Sequence, residues 1–370
     1  MKIGTITFQR AFSYGARLQA FALVKYLNDL GHNAEVIDYS NIGEASLPKS
    51  NFKWAIHKYI LKKIFYFFAN KKEVVRRKKF YSFSEKFTPH TPIHYTSIES
   101  LNEIEKEYDL FISGSDQVWN PLYNKNDLNF LLHFVKDSRK KLSYAASFGT
   151  SELSQNTFEM YKKELATFDD ILVREEEGAE LVRQMLGTKP NVVLDPTFLI
   201  DSEIWKDIAI YPFKKHFKYI LCFKILDVNP IYNKLIKHLQ KITNYKLIVL
   251  DNPYQLKRVN GKLYCTGGPQ EFLGLIKNAS IVVTNSFLGT VFSILFNRPF
   301  YTVLNNFGLN SRLENLTEAL NLSNRIISNS SLLPNKEDLE INFSSTNKLL
   351  AKKIQESKEL FNFILEKHKT

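Results

Sequence analysis

The strongest constraint on the fold is an alternation of strand-like and helix-like runs that occurs twice along the chain. In the first set, an alternating run at residues 2–8, a helical run at 15–29 and a strand-like run at 34–39 predict a βαβ unit. Further strand-like runs in this set lie at 110–112, 141–145, 171–173 and 192–194. The second set has strand-like runs at 219–223, 246–250 and 281–284 and helical runs at 231–242, 269–277 and 290–296. The sequence therefore predicts an α/β protein with two doubly wound Rossmann-like domains that face a cleft.

The length of 370 residues and the hydrophobic content of 44% are sufficient for two domains with their own cores. We place the N-terminal domain at residues 1–200 and the C-terminal domain at 201–345, followed by a basic amphipathic helix at 346–370. No stretch approaches the roughly 18 apolar residues of a membrane span, and the opening MKIGTITFQR lacks the apolar core of a signal peptide. We therefore expect a cytoplasmic protein. Cys222 and Cys265 lack the spacing of a structural zinc site, and we expect no metal.

The net charge of +12 is concentrated between residues 53 and 86, where eleven Lys and Arg stand against two Glu, a net +9, with nine aromatic residues interleaved. We interpret residues 50–87 as a helical insertion in the first domain. One alternative is a pair of amphipathic helices with a solvated lysine face. A second is a surface that contacts an anionic membrane or acceptor. The third is a nucleic-acid surface, but no recognised nucleic-acid motif accompanies the charge, and we expect no nucleic acid as a partner.

Two turns that link a predicted strand to a predicted helix have the composition of anion sites. In SYGAR, at residues 13–17, Gly15 allows close approach of a ligand, and Arg17 adds a positive charge unless it is simply an exposed helix arginine. In TNSFLGT, at residues 284–290, small polar residues precede a helix N-terminus, where backbone N–H groups favour anions. A bulky apolar residue, Leu288, lies near the tip of this second turn, where a binding site would be expected to place a polar group.

The loop SGSDQVWNP at residues 113–121 is the most unusual stretch, because it places five hydrogen-bonding side chains and an indole after an apolar run. An aromatic platform with amides and a carboxylate is a composition suited to carbohydrate. We therefore predict that Asp116 is catalytic and that four neighbours contact a sugar acceptor: Ser115, Gln117, Trp119 and Asn120. The alternative is a turn in which Ser115 or Asp116 caps the next helix.

Two further strand ends carry ionisable side chains. Arg174 and Glu175 follow a predicted buried strand, where either residue could orient a ligand, and a structural ion pair is the alternative for Glu175. Asp195 ends the next strand near the domain boundary, where we expect it to brace the loop rather than to catalyse.

Six segments, in their order along the chain, resemble the polysaccharide pyruvyl transferase family: SYGARLQAFAL, SGSDQVWNP, SYAASFG, VREEEGAELV, VVLDPTFL and TNSFLGTVFSILFNRPF. The resemblance runs through nearly the whole chain, and SGSDQVWNP is its most specific element. It implies a two-domain fold like that of GT-B glycosyltransferases, with the C-terminal helix packing back on the first domain. It also implies transfer of a pyruvyl group from phosphoenolpyruvate to two hydroxyls of one sugar as a cyclic ketal, without a metal or a tightly held cofactor.

Donor and anion binding is assigned, with this resemblance, to seven residues: Gly15, Arg17, Arg174, Asn285, Ser286, Gly289 and Thr290. Relatives usually have histidine, in Asn-Ser-Phe-His-Gly, where this chain has Leu288, and some have arginine where it has Ser286. Leucine cannot transfer a proton or bind an anion, so Leu288 marks the catalytic position without being competent itself. His90 and His94, in a polar loop, are the histidines that we consider as substitutes.

Three functions stay open at this point. The first is pyruvyl transfer to a sugar of a surface polysaccharide or of its lipid-linked precursor, with residues 53–86 against the inner face of the membrane. The second is a binding protein that keeps the sugar and anion sites but has lost turnover through Leu288. The third is a glycosyltransferase that uses a nucleotide sugar in the same cleft.

Overall fold

Two parallel sheets of six strands each organise the protein. The computed structural model describes residues 1–40, 56–97, 99–225, 229–254, 261–305, 310–328 and 333–369. In the first sheet the strand order is β2-β1-β3-β4-β5-β6. Its strands are β1 (Lys2–Ile6), β2 (Asn33–Val36), β3 (Leu110–Ser113), β4 (Lys141–Ala146), β5 (Asp170–Val173) and β6 (Asn191–Val192). In the second sheet the order is β12-β11-β10-β7-β8-β9. Its strands are β7 (Tyr219–Phe223), β8 (Lys246–Leu250), β9 (Lys262–Tyr264), β10 (Ile281–Thr284), β11 (Phe300–Val303) and β12 (Ile326–Ile327).

Helices connect the strands of both sheets, as parallel strands require. The helices between β1 and β6 in the chain are α1 (Tyr14–Asp29), α2 (Ile56–Phe87), α3 (Pro121–Asn124), α4 (Gln155–Leu165) and α5 (Glu176–Leu186). The remaining helices are α6 (Ser202–Ile208), α7 (Ile231–Thr243), α8 (Pro269–Lys277), α9 (Phe287–Leu295), α10 (Ser311–Ala319) and α11 (Ser344–Lys367). Within the described part of the chain, no helix is both long and apolar enough to cross a membrane.

The order of strands reverses once in each sheet. In the first sheet, β2 and β3 lie on opposite sides of β1, and in the second, β8 and β10 lie on opposite sides of β7. At such a point the loops that follow two adjacent strands diverge, and a crevice opens at their carboxyl ends. The loops after β1 and β10, which contain the two predicted anion turns, and the loop after β3, which contains SGSDQVWNP, all lie at these reversal points.

An apolar core joins the two sheets through the helices between them. Trp205 of α6 is fully buried, with Phe21 of α1 at 5.4 Å and Phe292 of α9 at 5.0 Å between ring centroids. Tyr14, at the start of α1, stacks on Phe272 of α8 at 4.7 Å. Because α1 belongs to the first half of the chain and α8 and α9 to the second, these contacts fix the two sheets around the crevices.

The C-terminal helix α11 packs back on the first sheet, as the resemblance implies. Phe361 is fully buried between Tyr144 of β4 and Tyr26 of α1, at 4.2 and 6.0 Å between ring centroids. The hydroxyl of Tyr26 donates to Asn362 Oδ1 at 2.8 Å, and the backbone N–H of Leu194 donates to Ser357 Oγ at 3.1 Å. The helix therefore crosses from the second half of the chain to the first.

The two predicted Rossmann-like units are confirmed, and β7, β8, β10 and α8 have the predicted bounds. Three predictions need correction. The strand at 192–194 is only Asn191–Val192, and α9 begins at Phe287, three residues earlier than the pattern indicates. The basic segment forms one long helix, α2, in place of the pair of helices considered, and residues 50–55 of the predicted insertion lie outside the described residues.

Candidate active site

A cavity of about 830 Å³ opens where the loops after β1, β3, β7 and β10 meet. Its walls come from both halves of the chain, beginning at Phe8 and ending at Leu313. Seven of the predicted site residues line it: Gly15, Asp116, Gln117, Arg174, Asn285, Ser286 and Leu288. The structure therefore brings together, in one cavity, residues that are separated by up to 273 positions in the sequence.

Two helix N-termini meet at this cavity. Gly15, in the first turn of α1, lies so close to α9 that a Cβ placed on it would be 3.4 Å from Leu288 Cγ. Ser286 caps α9, because its Oγ accepts a hydrogen bond from the backbone N–H of Gly289 at 3.3 Å. Ser13 stands at the N-cap position of α1 without a side-chain cap bond, and it also lines the cavity. The positive ends of two helix dipoles thus face the same space, which favours an anionic ligand.

Arg174 is a buried cation in the cavity wall, just after β5. Its Nη1 donates to Asp195 Oδ2 at 3.1 Å, its Nε is 3.5 Å from Glu175 Oε2, and the guanidinium lies 4.9 Å from the centre of the Phe287 ring. Burial opposes its charge, but Glu175 and Asp195 outweigh that effect and raise the pKa of Arg174. Nε and Nη2 are buried without an acceptor in hydrogen-bond geometry among the described residues.

Asp195 has the bracing role that the sequence predicts. Besides the bond from Arg174, its carboxylate accepts hydrogen bonds from the backbone N–H and the hydroxyl of Thr197 at 3.1 and 2.6 Å, and from the amide of Gln19. It is buried and does not line the cavity. Asp195 therefore orients the guanidinium of Arg174 from a buried position outside the cavity wall.

Arg312 of α10 is a second cation in the cavity wall, half-buried, which the sequence did not indicate. Its guanidinium lies 5.7 Å from the centre of the same Phe287 ring that Arg174 contacts. With the amide oxygen of Gln117 turned toward it, Nη1 and Nη2 donate to that oxygen at 3.2 and 3.1 Å. Burial lowers the pKa of Arg312, and the neighbouring charge of Arg174 lowers it further. Two guanidiniums thus lie near the same aromatic ring in the cavity wall, and an anion bound there would offset their mutual repulsion.

Asp116 faces this pair of guanidiniums from the loop after β3. Burial raises the pKa of its carboxyl group, against the opposing effect of Arg174. Its φ of +74° is a conformation that Asp and Asn tolerate better than other side chains with a Cβ, and its Oδ1 accepts a hydrogen bond from the backbone N–H of Gln117 at 2.9 Å. A carboxyl group with a raised pKa beside an anion site is suited to proton transfer.

The predicted residues of the second anion turn divide into two groups. Asn285 and Ser286 line the cavity, and the side chain of Asn285 also binds the backbone of Ile225 with two hydrogen bonds of 2.7 Å. Gly289 and Thr290 lie behind them. A Cβ on Gly289 would be 2.6 Å from Thr284 Oγ1, and the Thr290 hydroxyl donates to the backbone oxygen of Ser286 at 3.1 Å. These last two residues shape the turn without lining the cavity.

Three of the four residues that were predicted to contact a sugar in the loop after β3 are buried. Trp119 is fully buried, and its Nε1 donates to Ser113 Oγ at 3.0 Å and to the backbone oxygen of Phe130 at 3.1 Å. It is therefore not a platform for a sugar, and this prediction is corrected. Ser115 and Asn120 are also buried, and Asn120 caps α3 by accepting from the backbone N–H of Leu122 at 3.0 Å. Of the four predicted acceptor residues, only Gln117 lines the cavity.

Arg17 is also placed away from the cavity, so a direct role in anion binding needs the same correction. Its guanidinium donates to the backbone oxygens of Ala11 and Arg10 at 3.2 and 3.3 Å and to the hydroxyl of Ser84. These bonds tie the loop after β1 to helix α2. A second cation from α2, Arg76, does reach the cavity, where it is held by Glu73 at 2.8 Å.

Leu288 lies at the position predicted for the catalytic histidine, in the cavity wall and only 6% exposed. Of the described residues that line the cavity, none is a histidine. His90 and His94 lie elsewhere: His90 bonds the backbone oxygen of Thr88 at 2.8 Å, and His94 bonds the hydroxyl of Ser40 at 3.1 Å. Neither considered substitute therefore takes the place of the missing imidazole.

Comparison with known proteins agrees with this architecture. The sequence profile of the polysaccharide pyruvyl transferase family matches residues 14–306. No curated protein matches the chain. Among solved structures, Anabaena HepE in complex with UDP is similar over 99% of this chain and 100% of its own, with a TM-score of 0.57 at 11% identity. A putative UDP-N-acetylglucosamine 2-epimerase from Listeria monocytogenes is similar over 95% of this chain and 90% of its own, with a TM-score of 0.53 at 11% identity. These similarities confirm the GT-B-like two-domain fold.

Proposed function

This chain belongs to the polysaccharide pyruvyl transferase family, and we propose that it transfers the pyruvyl group of phosphoenolpyruvate to two hydroxyls of one sugar as a cyclic ketal. The observation that carries the proposal is a pair of guanidiniums, the buried Arg174 and the half-buried Arg312, at a cavity where two helix N-termini meet. Phosphoenolpyruvate is a compact ligand with both a phosphate and a carboxylate, and such a ligand requires several fixed cations and N–H donors.

The donor subsite consists of three elements of the cavity wall. Nε and Nη2 of Arg174 and Nε of Arg312 are buried without acceptors among the described residues, and the two guanidiniums bind one anionic end of the donor. The backbone N–H groups at the start of α9, next to Ser286, and at the start of α1, next to Gly15, bind the other end. Arg76 also lines this cavity and adds a further positive charge. No metal or tightly held cofactor is part of the proposal.

Asp116 is the proton donor and acceptor in this proposal. In the first step, one sugar hydroxyl oxygen forms a bond to C2 of the donor, the electron pair of the C2–C3 double bond takes a proton at C3, and the hydroxyl proton leaves. A protonated Asp116 supplies the proton to C3, and the resulting carboxylate accepts the hydroxyl proton. The C2–O bond to phosphate then breaks with its electrons on phosphate, the second hydroxyl oxygen binds C2, and the proton of that hydroxyl passes to the departing phosphate. Proton transfer by one positioned group contributes about 100- to 10,000-fold to such a rate.

The acceptor, in this proposal, is a sugar of a surface polysaccharide or of its lipid-linked precursor. Gln117 and Tyr123 follow β3 on one side of the cavity, and Asn252 follows β8 on the other. These planar amides and the phenol provide hydrogen bonds and a flat surface for a sugar ring. They take the role that the buried Trp119 cannot fill.

Binding and turnover can be tested separately. Isothermal titration of the protein with phosphoenolpyruvate should show binding, and incubation with phosphoenolpyruvate and a panel of pyranose acceptors with free hydroxyl pairs should release phosphate. Inorganic phosphate and UDP serve as comparison ligands in the titration. Binding of UDP without binding of phosphoenolpyruvate would overturn the proposal and would favour the glycosyltransferase alternative.

A second candidate function is binding of the same donor and sugar without turnover. The observation that favours it is Leu288, which occupies the histidine position while no described residue of the cavity wall is a histidine. If Leu288 is the reason for low turnover, Leu288→His should raise the rate of phosphate release by about 100- to 10,000-fold, with little change in donor affinity. Leu288→Met, which keeps an apolar side chain at this position, is the matched control. A rate in the natural protein that Leu288→His leaves unchanged would exclude this candidate.

A further inference from the structure

The outward side of helix α2 exposes large apolar side chains that the described residues leave uncovered. Phe67 and Phe68 are 55% and 56% exposed, and Val74 and Val75 are 43% and 45% exposed. On the opposite side of the same helix, Phe80 and other residues are buried against the core. Adjacent phenylalanines exposed to this degree on a helix are typical of a surface that binds a protein or a membrane.

Basic residues share this outward side with the apolar ones. Lys71, Lys72 and Lys78 are exposed, and Lys71 Nζ lies 4.3 Å from the centre of the Phe67 ring. Between residues 65 and 84 the one acidic residue is Glu73, which is buried and bound by Arg76 and Arg77 at 2.8 and 3.0 Å. The exposed charge of this part of the helix is therefore positive throughout.

Helical geometry places these residues on one continuous face. Because an α-helix turns about 100° per residue, the exposed positions 67, 68, 71, 72, 74, 75 and 78 fall within an arc of about 160°. We call this arc the α2 face. Along it, apolar and lysine side chains alternate, so neither a purely apolar partner nor a purely acidic one matches it. A partner with an apolar interior and negatively charged groups at its surface complements both kinds of side chain on the α2 face.

We propose that the α2 face docks on the surface of an anionic lipid membrane. In this arrangement the helix lies parallel to the membrane, the phenylalanines and valines enter the boundary between head groups and acyl chains, and the lysines bind lipid phosphates. The same helix supplies Arg76 to the wall of the cavity. Docking therefore places the cavity about one helix diameter, roughly 10 Å, from the lipid surface, where an acceptor held by a lipid anchor can reach it.

Co-sedimentation with vesicles of stated composition tests the proposal with the full-length protein. We expect binding to vesicles of phosphatidylcholine with 30% phosphatidylglycerol, weaker binding in higher salt, and little binding to phosphatidylcholine alone. Because each lysine near an anionic surface strengthens binding about fivefold, Lys71→Glu with Lys72→Glu should weaken binding at least 25-fold. Phe67→Ser with Phe68→Ser should weaken binding in the same assay.

Matched control variants lie on α11, away from this face. Phe363→Ser changes a phenylalanine that is 73% exposed, and Lys348→Glu with Lys352→Glu changes two exposed lysines. These controls should bind vesicles like the natural protein, and all variants should keep its melting temperature and its donor binding, which depend on other residues. Equal recovery with neutral and anionic vesicles would overturn the proposal. So would a concentration-dependent dimer in size-exclusion chromatography that Phe67→Ser and Phe68→Ser abolish without any vesicle binding, because the face would then bind a second copy of this chain.

Discussion

Arg312→Gln separates the role of this residue in ligand binding from any role in folding. In the ligand-free protein, burial and the neighbouring charge of Arg174 both oppose the charge of Arg312, and its pKa is lowered. Replacing the guanidinium with a neutral amide removes this repulsion. We therefore expect the free energy of unfolding without ligand to be unchanged within about 0.5 kcal/mol, or to increase.

Donor binding should respond in the opposite direction. A hydrogen bond to a charged group contributes about 1.5 to 3 kcal/mol, so loss of one such bond should weaken the affinity for phosphoenolpyruvate roughly 10- to 150-fold. At a donor concentration 100 times the dissociation constant of the natural protein, the donor adds about 2.7 kcal/mol to stability. A 100-fold weaker affinity would reduce this gain to about 0.4 kcal/mol. Isothermal titration and thermal unfolding with and without donor measure the two effects.

Arg183→Gln is the matched control, because Arg183 is an exposed arginine of α5 paired with Glu180 at 2.6 Å. It should change neither the affinity nor the stabilisation by donor. Two results would refute the reasoning. An unchanged donor affinity in Arg312→Gln would show that the guanidinium does not contact the donor, and a fall of several degrees in the melting temperature without ligand would show that it supports the fold.

Two further variants test the carboxyl group in the cavity and the packing of the last helix. Asp116 has a raised pKa in the folded protein, so the folded state binds this proton more tightly than the unfolded state, and stability falls as pH rises above the ordinary value of 3.8. Asp116→Asn should therefore increase the free energy of unfolding at pH 7, and this increase should disappear below about pH 4. Urea titrations at the two pH values measure this difference. The same variant should release less phosphate. Phe361→Ala should lower the free energy of unfolding by about 3 to 5 kcal/mol, because its ring is fully buried. Phe363→Ala, two positions away and exposed, should stay within about 0.5 kcal/mol of the natural protein in the same urea titration.

The fold was predictable because hydrophobic periodicity records burial directly. Strand β10, with the sequence IVVT, is buried at every position, and the run of β-branched residues that predicts it is the run that the sheet encloses. Short edge elements were not predictable in this way. β12 is only two residues long, Ile326–Ile327, and too short to show a period.

The site was predictable only where local sequence determines geometry. The sequence predicts a small polar turn before a helix N-terminus, and the structure has this turn, because the orphan N–H groups of a helix need an acceptor. The N-cap is Ser286, so the helix begins three residues earlier than the pattern indicates. Arg312 gave no such signal, because the sequence SRLENL is typical of an ordinary surface helix. Only the fold brings its guanidinium to the same Phe287 ring that Arg174 contacts. For Trp119 the sequence shows an indole in a polar loop, but its burial depends on acceptors such as Phe130 that lie outside the motif.

Because Leu288 replaces a histidine, proton transfer in the cavity depends on carboxyl groups. Of the described residues that line the cavity, two have carboxyl groups, Asp116 and Asp251, and none has an imidazole. The pKa of Asp116 responds to both guanidiniums, so its carboxyl group lies next to the proposed anion site. Leu288 adds neither a charge nor a hydrogen-bond donor to this wall, and burial, the largest influence on the pKa of Asp116, favours the protonated form of its carboxyl group. Turnover by the natural protein should therefore show a single loss of activity as pH rises through the ionisation of Asp116, whereas Leu288→His should add a second ionisation near the histidine range, about 6.5.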